Sequence, residues 1–266
     1  MYAGEEGIIQ WGNYSINLYI LILSCFVTLL LVILAVILSK SLQLKPVSKL
    51  QVIAEMLLGF LEDIAVSTMG ERGKEYIAWG GSIFLFVLFS NWLGLIPKHL
   101  IEFVGLPIEP PTSNINTPLA LAILSIIYYN YTAIKKMGVR KYFIHYLGPV
   151  PLLARSFGKL WWGWLLLPPL SVLFLILSSI EHISRCFSLT VRLFCNMMGE
   201  HAILGALIAV VLQLFSQGGV ALGILPIVIP IPLIVMIIGL ITGFVQAFIF
   251  MILNLAYIGS FVAEEH

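Results

Sequence analysis

Charge is scarce in this chain. Only 10% of its 266 residues are Asp, Glu, Lys or Arg, against 60% hydrophobic, and the formal net charge is +1. A water-soluble domain of this size needs a far more polar surface, so these proportions place the chain in the membrane class. The small net charge gives no reason to expect nucleic acid or an acidic substrate as partner. Cysteine is also rare. Cys25, Cys186 and Cys195 lie in apolar segments without metal-ligand spacing, and read as small buried residues rather than a disulfide or metal site. A glycine-rich phosphate loop is missing, so any nucleotide chemistry belongs to a partner, and no cofactor is implied. A basic leader is missing too: Glu5 and Glu6 precede the first apolar run. That run is therefore expected to remain as a transmembrane helix. No internal repeat, low-complexity tract or soluble domain is visible.

What is there is a series of long apolar runs. A bilayer core takes about 20 apolar residues in helical form. Segments 16–38, 77–97 and 117–134 fit one span each, after an outer N-terminal segment 1–15. Two longer stretches follow, 165–214 and 222–262. Length alone allows two spans in each, but neither carries a central turn with charged flanks. One long, strongly tilted helix in each is the preferred reading. The expected fold is all-α, a polytopic membrane protein of about five membrane helices forming a single membrane domain, the last two paired as a hairpin. Segment 45–69 reads as an amphipathic helix on the membrane surface, with Val52, Met56, Leu57 and Phe60 at helical spacing. Segment 155–164, with Trp161, Trp162 and Trp164, reads as a second interfacial piece.

Orientation follows from the basic residues. Lys40, Lys45, Lys49, Arg72, Lys74, Lys135, Lys136, Arg140, Lys141, Arg155 and Lys159 all fall on one side of this arrangement, whereas the opposite connection carries Lys98 alone. Five crossings then put the N-terminus outside and the C-terminus in the cytoplasm.

Within 165–214 the stretch from Ser178 to His201 is anomalous. It carries Glu181, His182, Arg185, Ser188, Arg192, Asn196, Glu200 and His201 in an otherwise apolar segment. Charges at that depth are costly, so they face protein or water and mark an ion pathway. At about 100° per residue, with Glu181 as zero, Arg192 falls near 20°, Arg185 near 40°, Ser178 and Asn196 near 60°, and Ser188 near −20°. These polar groups share an arc of about 80° and an axial length of about 27 Å. Glu200 and His182 sit at the edge of that stripe, and His201 points away from it. Glu181 and Arg185 are four residues apart and can equally be a local ion pair without further role. Arg192 has no acid three or four residues away. Its charge is permanent, so it needs a counter-ion from another helix or another chain. In the last stretch Gln246 is the polar anomaly, with Tyr257 on the same face. It reads as part of the pathway or as a plain interhelical hydrogen bond.

These residues also carry a family resemblance. The strings SLTVRLFCNMMGEH (188–201) and FVQAFIFMILNLAYI (244–258) resemble the two signature helices of subunit a of F-type ATP synthases. NWLGLIP (91–97) and PPTSNINTPLALA (110–122) resemble that family's second and third spans, so the likeness runs in order over about 45–257. The resemblance implies a proton-translocating stator subunit without catalytic chemistry of its own. Its partners would be a ring of c subunits, b-type peripheral-stalk subunits, the remaining ATP synthase subunits and membrane lipid. Its place would be a bacterial plasma membrane rather than an organellar one. Arg192 matches the family's essential arginine, between two offset half-channels that meet the ring carboxylates. Asn196 and Gln246 match polar positions lining that region. Glu200 and His201 are assigned to the proton-uptake path, and Glu181, His182 and Arg185 to the inner, release side. The sequence departs from the family at Cys186, where proline is common, and at Cys195, where glycine is common. Gly239 stands where some members have His or Glu, and Asn114 where others have an acid, which leaves more of the uptake path to Glu200 and His201.

Two other classes compete. A secondary ion transporter with a midplane site predicts repeated halves or paired broken helices, and neither occurs. A haem- or quinone-binding subunit predicts facing histidine pairs. His99, His145, His182, His201 and His266 are too scattered for that.

Overall fold

The computed structural model describes residues 8–11, 14–41, 49–96, 111–148, 150, 163–217 and 230–262. Apart from a two-stranded antiparallel hairpin (β1, Ile8–Trp11; β2, Tyr14–Asn17), its long elements are helices: α1 Leu18–Ser41, α2 Lys49–Met69, α3 Ile77–Gly94, α4 Asn116–Met137, α5 Val139–Tyr146, α6 Gly163–Gln217 and α7 Pro230–Val262. Short 3-10 segments occupy Gly70–Tyr76 and Pro111–Ser113. Among the described residues, five helical stretches are long and apolar enough to cross a membrane: Leu18–Lys40, Lys49–Gly94, Asn116–Met137, Leu167–Ser216 and Pro230–Phe261. The physical reason is general: hydrocarbon offers no partner for a free peptide group, and a helix satisfies its own. Side-chain hydroxyls obey the same rule, since Ser24, Thr28, Ser125 and Ser171 each donate to the carbonyl four residues earlier.

Helix bounds follow local chemistry. Ile16 and Asn17 pair with Ile9 and Ile8 in the hairpin, so the first membrane helix starts at Leu18. α7 starts at Pro230 with Pro232 in its first turn. Prolines are harmless there, because the first N–H groups of a helix have no intrahelical acceptor anyway. α6 runs unbroken for 55 residues, past Pro168 and Pro169 near its start. Its length of about 80 Å far exceeds a hydrocarbon core. Segment 155–162, with Trp161 and Trp162, and residues 45–48, 97 and 222–229 of the expected elements lie outside the described residues.

The core is built around α3 and α7. Phe84, Val87, Ala247, Phe250, Met251 and Leu255 are buried there, joined by Leu61 from α2, Ala122 and Tyr129 from α4, and Leu189 and Leu193 from α6. Small residues set the spacing: a Cβ on Gly80 would meet Leu255 and Met251 at 3.3 Å, and one on Gly243 would meet Asn91 at the same distance. Close approach through glycine is the usual device where apolar side chains gain nothing by avoiding lipid. At the end of α2, Gly70 takes a positive φ of 69°, and the chain folds back so tightly that a Cβ on Gly73 would overlap the Ala65 carbonyl. Lys136 at the end of α4 then reaches Glu75 at 2.8 Å, which ties the end of that helix to the segment between α2 and α3.

Much apolar surface stays uncovered, and here the expectation about cysteine fails. Cys25 and Cys195 are exposed, and all three thiols are free. In a chain whose outer faces are meant for lipid or partner subunits, apolar surroundings do not imply burial.

Candidate functional site

The polar stripe of α6 is not one environment but three. At its N-terminal end, Arg185 is bonded to Glu181 and its guanidinium lies 4.4 Å from the centre of the Tyr257 ring of α7. The local pair foreseen from spacing is therefore formed, and Tyr257 adds a π-face to it. Beside it, His182 contacts the Tyr146 hydroxyl through Nε2 at 2.9 Å and the Ser178 carbonyl through Nδ1 at 2.8 Å. Glu181, His182, Arg185 and Ser178 line a cavity of about 390 Å³ together with Tyr146 and Ser260.

In the middle, Arg192 and Ser188 are exposed. Among the described residues the Arg192 guanidinium has no hydrogen bond and no ion pair. Exposure continues along its face. Ser188, Arg192, Cys195, Gly199, Ala202 and Ala206 are all exposed, and at about 100° per residue they lie within about 80° of one another. A permanent charge thus projects near the N-terminal end of a strip of small residues. Asn196 points elsewhere: its Nδ2 is buried without a partner among the described residues, as is Nε2 of Gln246 on α7.

At the far end Glu200 and His201 diverge. His201 contacts the Gly94 carbonyl at the C-terminal end of α3, at 2.7 Å. Glu200 instead lies on Gly239 of α7. Both of its carboxylate oxygens are buried without a hydrogen-bond partner among the described residues, and a Cβ on Gly239 would fall 2.4 Å from Leu95 and overlap the Glu200 carboxylate outright. The carboxylate of α6 thus fills the space that a side chain at 239 would need. Gly239→Ala is expected to destabilise the chain by about 1–3 kcal/mol through overpacking, read as a lower melting temperature in detergent. Adding Glu200→Gly should recover part of that loss, and no recovery would show that the two positions do not share this space.

Several polar residues of the site were not singled out from the sequence. Asn91 of α3 donates to the Gly243 carbonyl at 3.4 Å and leaves its Oδ1 buried and, among the described residues, unpaired. Asn130, Tyr142 and Tyr146 form the neighbourhood of His182. A lone Asn in an apolar span was a legible signal at 91 and 130. The two tyrosines, in a short helix next to basic residues, looked like ordinary interface aromatics. Asn114, where others have an acid, accepts from the Asn116 N–H at 3.0 Å in a turn that opens α4.

Helices of this length, with ionisable groups sunk among apolar ones, define a multi-pass membrane protein with the makings of an ion pathway. The comparisons narrow that class. The family model described as ATP synthase A chain matches residues 20–259, so the chain belongs to that family. It is 34% identical to the ATP synthase subunit a of Desulfosudis oleivorans, over 89% of this chain and 85% of that one. Against the subunit a of Aquifex aeolicus it is 33% identical, over 84% of this chain and 88% of the relative. Against the chloroplastic subunit a of Stigeoclonium helveticum it is 34% identical, over 99% and 92% of the two chains. The chain is accordingly a membrane-sector subunit of an F-type ATP synthase and works in a complex with other subunits of that enzyme.

Proposed function

We propose that Arg192 separates two offset proton half-channels and takes its counter-charge from the carboxylates of a rotating c-subunit ring. One observation carries this reading: Arg192 is exposed and, among the described residues, unpaired on a strip of small residues, while Arg185, two turns earlier on the same helix, has its acid. Small residues let another helix approach the α6 backbone closely. A ring carboxylate passing there ionises beside the cation and must regain its proton before it faces lipid. The fixed charge also opposes direct leakage of protons from one half-channel to the other. Glu200 and His201 receive protons on the outer side, Asn196 and Gln246 line the route, and Glu181, His182 and Arg185 stand on the release side with Ser188 and Tyr257. Attachment to b-type peripheral-stalk subunits holds the chain still against the ring. The N-terminus lies outside and the C-terminus in the cytoplasm of a bacterial plasma membrane.

Cys195 offers a direct test of the docking face. It is exposed one turn from Arg192. In membranes holding the assembled complex, Cys195 is expected to form a disulfide with a cysteine placed beside the ring carboxylate, and Cys25 on α1 is not. Cross-linking at Cys25 with none at Cys195 would put the ring on another face.

A further inference from the structure

Helix α5 has one bonded face and one bare one. Gly138, at a φ of 78°, ends α4 and turns the chain. Val139–Tyr146 then folds back far enough for Tyr142 to reach Asn130, two turns inside α4. The buried Tyr142 donates to Oδ1 of Asn130 at 2.5 Å, and its hydroxyl lies 2.9 Å from that of Tyr146. The Tyr146 hydroxyl in turn meets His182 Nε2 at 2.9 Å, and the Tyr146 carbonyl accepts from the Ser178 hydroxyl at 3.0 Å. One face of α5 is thus fastened to α4 and α6. At about 100° per residue from Tyr142, Tyr146 falls near 40°, Val139 near 60°, Phe143 near 100°, Arg140 near 160°, Ile144 near 200° and Lys141 near 260°. Everything from Val139 round to Lys141 is exposed. Val139 and Phe143 each show more than half their surface, at 58% and 62%.

A face that mixes bare apolar side chains with cations suits neither plain water nor hydrocarbon. It suits the boundary between them, and α5 begins where the membrane-length stretch of α4 ends, at Met137. Basic charge is in surplus there. Glu75 is held by Lys136, and Glu62 and Glu71 by Lys74. Lys135, Arg140 and Lys141 are exposed and have no ion pair among the described residues. We propose that α5 and the last turn of α4 form a docking site for anionic phospholipid. Arg140, Lys141 and Lys135 take the headgroup, and Val139, Phe143 and Ile144 lie against the acyl chains. A guanidinium fork matches phosphate oxygens, and each further cation at a membrane surface adds attraction to anionic lipid. A zwitterionic lipid carries its own cation beside the phosphate and gains less. Tyr146 lines the cavity shared with Glu181, His182 and Arg185, so lipid that holds α5 also steadies one wall of that cavity. The binding goes beyond the half-channel reading and does not depend on it.

The test compares lipids on the same chain. The full chain is reconstituted in vesicles of mixed phosphatidylcholine and phosphatidylglycerol, with a trace of one or the other carrying a photoactivatable acyl chain. After illumination, adducts on 139–146 are counted by mass spectrometry against those on the exposed apolar face of α1, at Leu29, Val32 and Val36. Phosphatidylglycerol is expected to label α5 about fivefold more than phosphatidylcholine does, the worth of one well-placed cation at a membrane surface. The α1 face should take both lipids equally. Arg140→Gln combined with Lys141→Gln should bring the α5 ratio to parity, whereas Arg140→Lys combined with Lys141→Arg should keep it. Both positions are exposed and unpaired among the described residues, so these changes spare the fold, and unchanged labelling of α1 checks this. Equal labelling of α5 by the two lipids in the unaltered chain overturns the proposal. So does a preference that survives the loss of both charges. The preference is also expected in membranes holding the assembled complex. If it vanishes there, an acidic segment of a partner subunit covers α5, and the lipid assignment falls.

Discussion

Arg192→Ala is expected to abolish proton-coupled ATP synthesis in membrane vesicles, to the level of an uncoupled control, while the chain stays in the membrane at normal abundance. That is the largest effect expected of any single substitution here. The side chain makes no bond to the described residues and is exposed, so its removal costs the fold little, as at other surface positions without such partners (about 0.5 kcal/mol or less). All of its electrostatic value is directed outward. On the proposed reading, a passing ring carboxylate without the cation has no reason to ionise at that point, and no charge opposes leakage between two half-channels. Arg192→Lys is also expected to fail in large part, because an ammonium is more strongly hydrated, lacks the guanidinium fork and gives up its proton when desolvated. The measurement is ATP synthesis driven by an imposed proton gradient, alongside immunodetection of the chain in the same membranes. Normal coupled synthesis in Arg192→Ala would defeat the central reading.

Replacing Glu200 and His201 together by leucine is expected to slow proton uptake by about a hundredfold, the usual scale for losing a positioned proton-transfer group. Both positions have to change, because the two side chains reach different places: Glu200 lies on Gly239 and His201 on the Gly94 carbonyl. Either alone leaves one ionisable group at that end of the stripe. Leucine at 200 suits its surroundings, since the carboxylate it replaces is buried beside Leu95 with neither oxygen hydrogen-bonded. A buried polar group without partners is costly, so this variant should not lose stability through position 200. Unchanged flux in inside-out vesicles would remove the pair from the uptake path.

Glu200 also shows how far the sequence could be read. The absence of a side chain at Gly239 was visible, and so was the acid at 200, but they are 39 positions apart and nothing local connects them. Only the packing of α6 on α7 shows that one occupies the volume the other vacates. Arg185 was legible in full, because its partner is one helical turn away and helical spacing is a local property. The hydroxyl chain at His182 was not legible, because its members come from α4, α5 and α6. The long stretches of α6 and α7 carried no central break, and the sequence left single and double spans open. α6 is continuous over Gly199 and Gly205, residues that punctuate soluble helices but leave an i→i−4 ladder intact.

By itself the sequence determined that this is a helical membrane protein, where its charges are sunk, and that Arg192 lacks an acid on its own helix. These follow from composition and from a period of about 3.6 residues, which each segment expresses without reference to any other. Tertiary structure decided which polar groups are spent internally and which remain available. Arg185, His182 and His201 are engaged with their neighbours, Glu200 is walled in against Gly239, and Arg192 alone of α6's two arginines is presented outward. Pairing between helices is fixed by packing at contacts far apart in the chain, and no single segment encodes it.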